Sequence, residues 1–170
     1  LLQLSQEVLD SALQNEFDAV LVVNGHGGNA PLIGAIVTAV GHDHPDIQVL
    51  GLSYFDLAAP FVDDIRDSET GGMSHAGEFE TSLLLHLEPQ LVEESAFAAT
   101  YRDEPHEHAK QDMFDTGPLS IYRSFDEYTD TGVIGDPTLA SAEKGEALYD
   151  GLVTEIGEII RSIHEAALQE

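Results

Sequence analysis

Ala19-Val20-Leu21-Val22-Val23, followed by Asn24-Gly25-His26-Gly27-Gly28-Asn29, is the stretch that decides the fold. The first five residues form a short, apolar, β-branched run, which predicts a buried strand. A helix-like segment opens directly afterwards at Ala30-Pro31, and proline is favoured in the first turn of a helix because its missing N–H costs nothing there. The glycine-rich hexapeptide is therefore predicted to be a strand-to-helix turn, at the end of a strand where α/β folds bind ligands.

The histidine of this turn is the first candidate functional residue. The glycines beside His26 allow unusual backbone angles and leave room, so its imidazole can approach a metal ion or a substrate closely. The backbone N–H groups around Gly27 and Gly28, at a helix start, can also bind an anionic substrate group or an oxyanion. The alternative is an ordinary tight turn with a solvated histidine, because βα turns need glycine as well.

The segments on either side of the turn indicate the fold class. Leu1–Leu13 has apolar residues at helical spacing, which predicts a helix whose apolar side includes Leu1, Leu4 and Val8 and can extend to Leu9 and Leu13. After the turn, a second helix ending near Gly41 is predicted from the apolar spacing of Leu32, Ile33, Ile36, Val37 and Val40. Ile47–Tyr54 predicts another strand, parallel to the first if the helix between them is a right-handed crossover. The expected fold is α/β, with a mainly parallel sheet flanked by helices.

Length and charge limit the classes of function. The 170 residues, 42% of them hydrophobic, are enough for a single domain with a hydrophobic core. Six Lys and Arg residues stand against 32 Asp and Glu residues, which gives a formal net charge of −26. Such a charge repels nucleic-acid phosphates, so no nucleic-acid partner is expected. The dispersed carboxylates predict a halophilic protein adapted to a high-salt cytoplasm, and the alternative is an ordinary acidic protein.

Two further features of the composition bear on location. The chain has no cysteine, so disulfides and cysteine-ligated metals are excluded. No apolar run approaches the roughly 18 residues that span a membrane, and the first residues do not resemble a signal peptide. A soluble protein of the cytoplasm, with no membrane partner, is the expectation.

A second dense patch is His75-Ala76-Gly77-Glu78-Phe79-Glu80-Thr81-Ser82. It leads into an apolar run and predicts a helix from about Ala76 to His86, with His75 at or just before the first turn. On such a helix Glu78 and Glu80 point about 200° apart. One of these carboxylates is therefore expected to face a site and the other to face water or a supporting partner. The buried side of the helix is expected to include Phe79, Leu83 and His86.

A third patch is Gly132-Val133-Ile134-Gly135-Asp136-Pro137. Its glycines and proline predict a turn, in which Asp136 caps a following helix. That helix is predicted to run from about Pro137 to Leu168, with a core-facing set made of Ile156, Ile159, Ile160 and Ile163.

Other segments are interpreted less specifically. Phe55–Ser74 is acidic and then glycine-rich, which is more typical of a substrate-side loop than of a core element. His42 and His44 suggest a metal clip, but a polar helix end is preferred because imidazoles favour the negative end of the dipole. His106-Glu107-His108 also suggests a metal cluster, and a solvated loop is again preferred because the surroundings are polar.

Together, and in this order, the three patches resemble the creatininase family (creatinine amidohydrolases). The first two motifs are specific as a pair, and the resemblance covers essentially the whole chain. It implies an α/β fold with a mainly parallel sheet and a divalent metal centre, often of two ions. It also implies hydrolysis of a C–N bond in a cyclic amide, a formamide or a small peptide.

The resemblance also implies roles for individual residues. His26 and Glu80 match metal ligands, and His75 matches the histidine that handles protons or contacts the substrate beside the metal. The remaining motif positions are expected to bind substrate: Gly27, Gly28, Asn29 and Glu78. In creatininase itself the position of Gly28 carries a glutamate ligand, so the glycine here puts creatinine in doubt as the substrate.

The chemistry that these residue types allow is metal-assisted hydrolysis. Imidazole and carboxylate ligands suit Zn²⁺, Mn²⁺ or Fe²⁺, and a bound metal lowers the pKa of its water to about 7. His75 is then expected to donate a proton to the departing nitrogen. A nucleotide-binding module is a weaker alternative, because the turn lacks both common phosphate-binding patterns.

The family also draws ligands from an N-terminal Glu-x-His…Asp arrangement, which the chain does not contain. The chain is therefore expected to correspond to the C-terminal two-thirds of a single creatininase-like domain over residues 1–170. Two ligands are too few for a catalytic zinc site, so weak metal binding and no activity are expected of the chain alone. The alternative is a catalytically incomplete subunit with a structural or binding role. The family commonly forms ring-like homo-oligomers, and a small-molecule substrate is the expected partner.

Overall fold

The computed structural model describes residues 1–103, 106–109 and 112–167. In these residues the helices are α1 (Leu2–Ala12), α2 (Ala30–Asp43), α3 (Glu78–Leu87) and α4 (Ala142–Ala167), and the strands are β1 (Ala19–Asn24) and β2 (Gln48–Ser53). Short 3₁₀ turns connect them at Gly27–Asn29, Tyr54–Ala58, Val62–Asp64, Pro89–Leu91, Glu94–Ala96, Phe125–Glu127 and Pro137–Leu139. None of the described helices is long and apolar enough to cross a membrane.

The chain forms two compact units. The first contains residues 1–57 and the described residues from 154 onward, and the second contains residues 58–153. Helix α4 contributes its first half to the second unit and its second half to the first.

The first unit is built on a parallel pair of strands. β1 and β2 run in register from the pair Ala19 and Gln48 to the pair Asn24 and Ser53. Helix α2 connects them and packs so closely that a Cβ atom on Gly51 would lie 2.6 Å from a methyl carbon of Ile33. The two predicted strands, their parallel pairing and the helix between them are thus confirmed, as is the α/β class.

The core of the first unit corrects part of the predicted apolar side of α1. Leu13 is buried with Ile36 and Val40 of α2, and the partly buried residues packed against them include Leu2 and Leu9. The predicted side is thus correct at Leu9 and Leu13, but its first three members are open to solvent, with exposed fractions of 58 to 63% for Leu1, Leu4 and Val8. The apolar spacing in this short helix fits two overlapping faces, and packing against α2 selects the one that contains Leu2, Leu9 and Leu13.

The second unit draws its core from an irregular segment. Between positions 58 and 74, the apolar side chains of Ala58, Val62 and Met73 are buried, as is Phe79 of α3. The expectation of a substrate-side loop in Phe55–Ser74 is therefore wrong at these buried positions. They show no regular spacing, because the segment consists of short 3₁₀ turns and irregular chain rather than a helix or a strand.

Helix α4 begins later than the sequence predicts. Asp136 does act as a cap, since its Oδ1 accepts the N–H of Thr138 at 3.0 Å, but it caps the single 3₁₀ turn Pro137–Leu139. The fully buried leucine of the long helix is Leu148, whereas Ile160, predicted to face the core, is 52% exposed. The predicted end at Leu168 lies outside the described residues.

Candidate active site

The turn after β1 is held by one buried side chain. The Asn24 amide Oδ1 accepts the N–H of His26 at 3.1 Å, while its Nδ2 donates to the carbonyl of His26 at 2.9 Å. The same Nδ2 donates to Oγ of Ser53, at the end of β2, at 2.9 Å. Asn24 is only 5% exposed, so its buried amide holds the backbone of His26 in place. Asn24 belongs to the motif around His26, but the local sequence pattern does not predict this supporting role.

His26 itself points outward. It is exposed, and in the described residues its imidazole makes no hydrogen bond or ion pair. A Cβ atom on Gly28 would lie 2.9 Å from Nε2 of this imidazole. A side chain at position 28 would therefore displace the ring, which explains in physical terms why glycine accompanies this histidine orientation.

The other predicted substrate contacts in the turn differ in availability. The N–H of Asn29 donates to the carbonyl of His26 at 3.0 Å, within the 3₁₀ turn, and so is occupied. For Gly27 and Gly28, which are both exposed, the described part of the chain offers no acceptor to the backbone N–H groups. These two donors remain able to bind an anion or an oxyanion.

The start of α3 is strained and tightly bonded. Ala76 has φ of 52°, a left-handed conformation that costs a non-glycine residue about 1 kcal/mol. Its N–H donates to Oε2 of Glu80 at 2.7 Å, and its carbonyl accepts from Oγ1 of Thr81 at 3.1 Å. Glu80 thus reaches back over the first turn as in a capping box, which fixes one carboxylate oxygen and leaves the other free.

His75 lies beside this carboxylate. Its Nδ1 is 3.9 Å from Oε2 of Glu80, and its carbonyl accepts the N–H of Ile134 at 2.8 Å. The ring of Phe125 meets the imidazole edge-on, with 5.2 Å between the ring centres. The side chain is half exposed, so one side of the imidazole faces solvent next to the carboxylate of Glu80.

Glu78 is enclosed in the second unit. Its side chain is fully buried, and its carboxylate accepts the N–H of Asp67 at 3.0 Å, the N–H of Ser68 at 2.9 Å and a hydrogen bond from Lys144. Burial opposes ionisation, but these donors outweigh it and hold the pKa of Glu78 below its ordinary value. In this conformation the carboxylate is not open to solvent, and the substrate-binding role expected of Glu78 stays a prediction. The helical geometry predicted that the two glutamates would diverge, but not that this one would be internal.

Lys144 completes this internal ion pair. It is on α4, 66 positions after Glu78, and also bonds the carbonyl of Leu139 at 2.7 Å and Oδ2 of Asp67 at 2.7 Å. Burial opposes protonation, but the hydrogen bonds that Lys144 donates to the carboxylates of Asp67 and Glu78 raise the pKa of Lys144. One of only six Lys and Arg residues is thus committed to holding α3 in place.

Glycine backbones join the second and third motifs. The carbonyl of Gly72 accepts the N–H groups of Glu78 at 3.1 Å and Asp136 at 2.9 Å. A Cβ atom would lie 2.2 Å from this carbonyl oxygen at Gly77, and 2.6 Å from it at Gly135. These positions need glycine because three backbone segments cross there, so the turn at Gly135 fixes the start of α3.

Asp112 is a second organising carboxylate that sequence reasoning missed. Its side chain is buried, accepts hydrogen bonds from both terminal nitrogens of Arg66, with Nη1 at 3.1 Å, and accepts the N–H of Gly71 at 2.7 Å. It therefore shapes the segment that leads to His75. The surrounding sequence is polar, with no local pattern that distinguishes this aspartate from 31 other acids.

The other histidine clusters are unremarkable in their surroundings. His44 caps α2 and its Nε2 lies 2.9 Å from Oδ1 of Asp10, while His42 is exposed in the last turn. His108 and Glu107 form an exposed pair with 3.2 Å between Nε2 and Oε1.

The donor types of the predicted metal ligands fit a divalent ion. An open imidazole at His26 and a free carboxylate oxygen at Glu80 are ligands that suit Zn²⁺ or Mn²⁺. Within either unit, the residues that the structure describes contain no group of three His, Asp or Glu side chains that could hold a metal. The predicted ligands are thus donors of the correct kind, but they are two, whereas a catalytic zinc site normally has three protein ligands.

Comparison with known proteins identifies the family. The model of the family Creatininase (creatinine amidohydrolase) matches residues 1–160. A mycofactocin precursor peptide peptidase of Mycobacterium tuberculosis is 33% identical over 134 residues, which are 79% of this chain and 44% of that protein. One from Mycolicibacterium smegmatis is 29% identical over 136 residues, 79% of this chain and 45% of that protein. The chain thus spans less than half the length of these relatives.

Solved structures agree with this result. A creatininase has a TM-score of 0.73 at 23% identity and is matched over 94% of this chain and 61% of that one. A creatininase described as an Mn form has a TM-score of 0.73 at 24% identity, over 95% of this chain and 62% of that one. Another, a mutant of the Zn–Zn type, has a TM-score of 0.71 at 24% identity, over 95% of this chain and 62% of that one. The family is therefore known with divalent metals, and the chain, through its glycine-histidine turn, its His75–Ser82 motif and its Gly132–Pro137 turn, belongs to the creatininase family.

Proposed function

We propose that this chain carries part of the active site of a metal-dependent amidohydrolase that cleaves a C–N bond. The observation that carries the proposal is the arrangement at the start of α3, where Glu80 is fixed through one oxygen, leaves the other free, and lies 3.9 Å from His75. A carboxylate held in this way is suited to ligate a cation while it orients a neighbouring imidazole.

His26 and Glu80 are the proposed metal ligands. The backbone of His26 is held by hydrogen bonds to the Asn24 side chain, and the carboxylate of Glu80 is held by the N–H of Ala76. Each side chain leaves a donor atom open. A bound divalent ion supplies Lewis-acid activation of water and of the carbonyl group. Zn²⁺, Mn²⁺ and Fe²⁺ all suit these donors, and a centre of two ions in the complete protein is part of the proposal.

The protein residues move the protons. His75 is the proposed general acid, because its half-exposed imidazole can give a proton to a departing nitrogen. The backbone N–H groups of Gly27 and Gly28 are the proposed donors to the developing oxyanion. A general acid of this kind contributes about 10²–10⁴-fold to the rate.

A small peptide is the substrate class we favour. The peptide peptidase relatives support it through 33% identity over four-fifths of the chain, and cyclic amides and formamides are the other C–N bonds considered. We further propose a cytoplasmic, halophilic homo-oligomer. The net charge of −26 supports the halophilic part of this proposal.

A non-catalytic binding subunit is the second candidate. The specific observation in its favour is the lack of any group of three metal-binding side chains within either unit of the described chain. A chain of this kind would bind a partner through the creatininase scaffold without turnover.

Titration with Mn²⁺ and Zn²⁺ by calorimetry tests the proposal. Wild type is expected to bind weakly, and both His26→Ala and Glu80→Gln are expected to lose about tenfold or more in affinity. His42→Ala, which removes an exposed imidazole at the end of α2, is the matched control and should bind as wild type does. His75→Ala should keep the metal affinity of wild type, because His75 is not one of the proposed ligands. Equal affinity of wild type, His26→Ala and Glu80→Gln would rule out the assigned ligands and favour the binding subunit.

A further inference from the structure

Two arginines converge on one tyrosine in the second unit. The guanidinium carbon of Arg102 lies 3.7 Å from the ring centre of Tyr128, and that of Arg123 lies 5.8 Å from it. Both distances are within the range of a cation–π contact. The whole chain has only six Lys and Arg residues, so two of its few cations are on the same ring.

Arg123 is not neutralised by the protein. Among the described residues it makes no hydrogen bond or ion pair, although the chain contains 32 Asp and Glu residues. Arg66 and Lys144, in contrast, are bound to the buried carboxylates of Asp112 and Glu78. Arg123 is also half-buried, so its five N–H donors are partly withdrawn from water.

The arginine-bearing segment lies beside His75. Phe125, two positions after Arg123, meets the imidazole of His75 edge-on with 5.2 Å between ring centres. Phe125 is 51% exposed and the neighbouring Tyr122 is 90% exposed, so this segment presents aromatic surface to solvent as well as charge. The segment therefore forms one wall next to the proposed general acid.

We propose that Arg123, placed over the ring of Tyr128, forms a carboxylate-binding subsite that selects substrates with an anionic group near the cleaved C–N bond. Arginine donors are arranged in a fork that matches the two oxygens of a carboxylate. The exposed aromatic rings beside it suit an apolar side chain next to that carboxylate. A peptide with a free C-terminal carboxylate has both features. The inference deepens the proposed function, on which it rests for the role of His75.

A matched pair of probes tests the subsite: N-acetylphenylalanine and its primary amide, which differ only in the carboxylate. Binding is followed by NMR from the shifts of the arginine Nε–H signals, in about 0.5 M KCl so that the net charge is screened. Wild type is expected to bind the acid about tenfold more tightly than the amide, as charged hydrogen bonds predict. R123Q should abolish this preference, and R123K should retain part of it.

The matched control is R161Q, which makes the same change at an exposed arginine of α4 in the first unit. It should bind both probes as wild type does. Equal affinity of wild type for the acid and the amide would overturn the inference, as would an unchanged preference in R123Q or a lost one in R161Q. The measurement needs neither metal nor turnover, so its failure is distinguishable from a failure of the metal assignment.

Discussion

Replacement of Lys144 by methionine tests how the site-bearing helix α3 is held. The ammonium group of Lys144 bonds the fully buried carboxylate of Glu78, and Lys144 itself is only 17% exposed. Lys144→Met keeps the apolar stem of the side chain and removes the charge. Glu78 is then left buried without its cation.

The magnitude follows from the environment of the pair. Removing one partner of a buried ion pair typically costs about 3–5 kcal/mol. The carboxylate of Glu78 keeps the N–H groups of Asp67 and Ser68, which places the expected loss near the lower end, about 3 kcal/mol. The contact of Lys144 with Asp67 adds little because that carboxylate is 68% exposed. A domain of ordinary stability has about 5–15 kcal/mol in total, so the loss is large.

Urea unfolding at constant KCl, followed by circular dichroism, measures this loss. Arg161→Met is the control, because it removes a cation from the surface and should change the free energy of unfolding by less than about 0.5 kcal/mol. The double variant Lys144→Met/Glu78→Gln removes both charges and should be at least about 1 kcal/mol more stable than the sum of the single losses predicts. A loss below about 1 kcal/mol in Lys144→Met, or strictly additive losses, would refute the assignment of this pair as a structural anchor.

Three further predictions concern the charge of Glu78 and the space around Gly28 and Gly77. Glu78 has a depressed pKa in the folded state, so its contribution to the free energy of unfolding is complete above the ordinary glutamate pKa of about 4.3 and is lost as pH falls through the folded value. The difference in unfolding free energy between wild type and Glu78→Gln should therefore shrink in acid. A constant difference from pH 7 to 3 contradicts this. Gly28→Ala should displace the ring of His26 and weaken Mn²⁺ binding. The free energy of unfolding should change by less than about 1 kcal/mol, because the new methyl group contacts the tip of the His26 side chain and not the backbone. Unchanged Mn²⁺ affinity in calorimetry argues against the proposed orientation of His26. Gly77→Ala brings a methyl group against the Gly72 carbonyl and should cost more than about 2 kcal/mol in urea unfolding, and a near-neutral result shows that the backbone crossing is not tight.

The first unit was predictable because its information is local. A continuous β-branched run, a glycine turn and a proline at a helix start each specify one element, and together they predicted β1, α2 and β2. The face of α1 was predicted correctly at Leu9 and Leu13 but wrongly at Leu1, Leu4 and Val8, because helical spacing fits both sets equally well. Only packing against α2 distinguishes them.

The supports of the candidate site were not predictable in the same way. Glu78 and Lys144 are 66 positions apart, and Arg66 and Asp112 are 46 apart, so no sequence window contains either pair. A buried acid in a chain with 32 acids carries no local mark of its burial. The motif of α3 identified which residues matter, and long-range contacts decided that Glu80 stays open while Glu78 is internal.

Whether His26 and Glu80 hold the same ion is the central question, and an Mn²⁺ titration followed by electron paramagnetic resonance answers it most directly. The measurement compares His26→Ala, Glu80→Gln and the double variant with wild type. If the two side chains share one ion, each single variant loses about tenfold or more in affinity and the double variant binds little more weakly than the weaker single one. Losses that add fully in the double variant, or single variants that bind as wild type does, would contradict a shared metal centre.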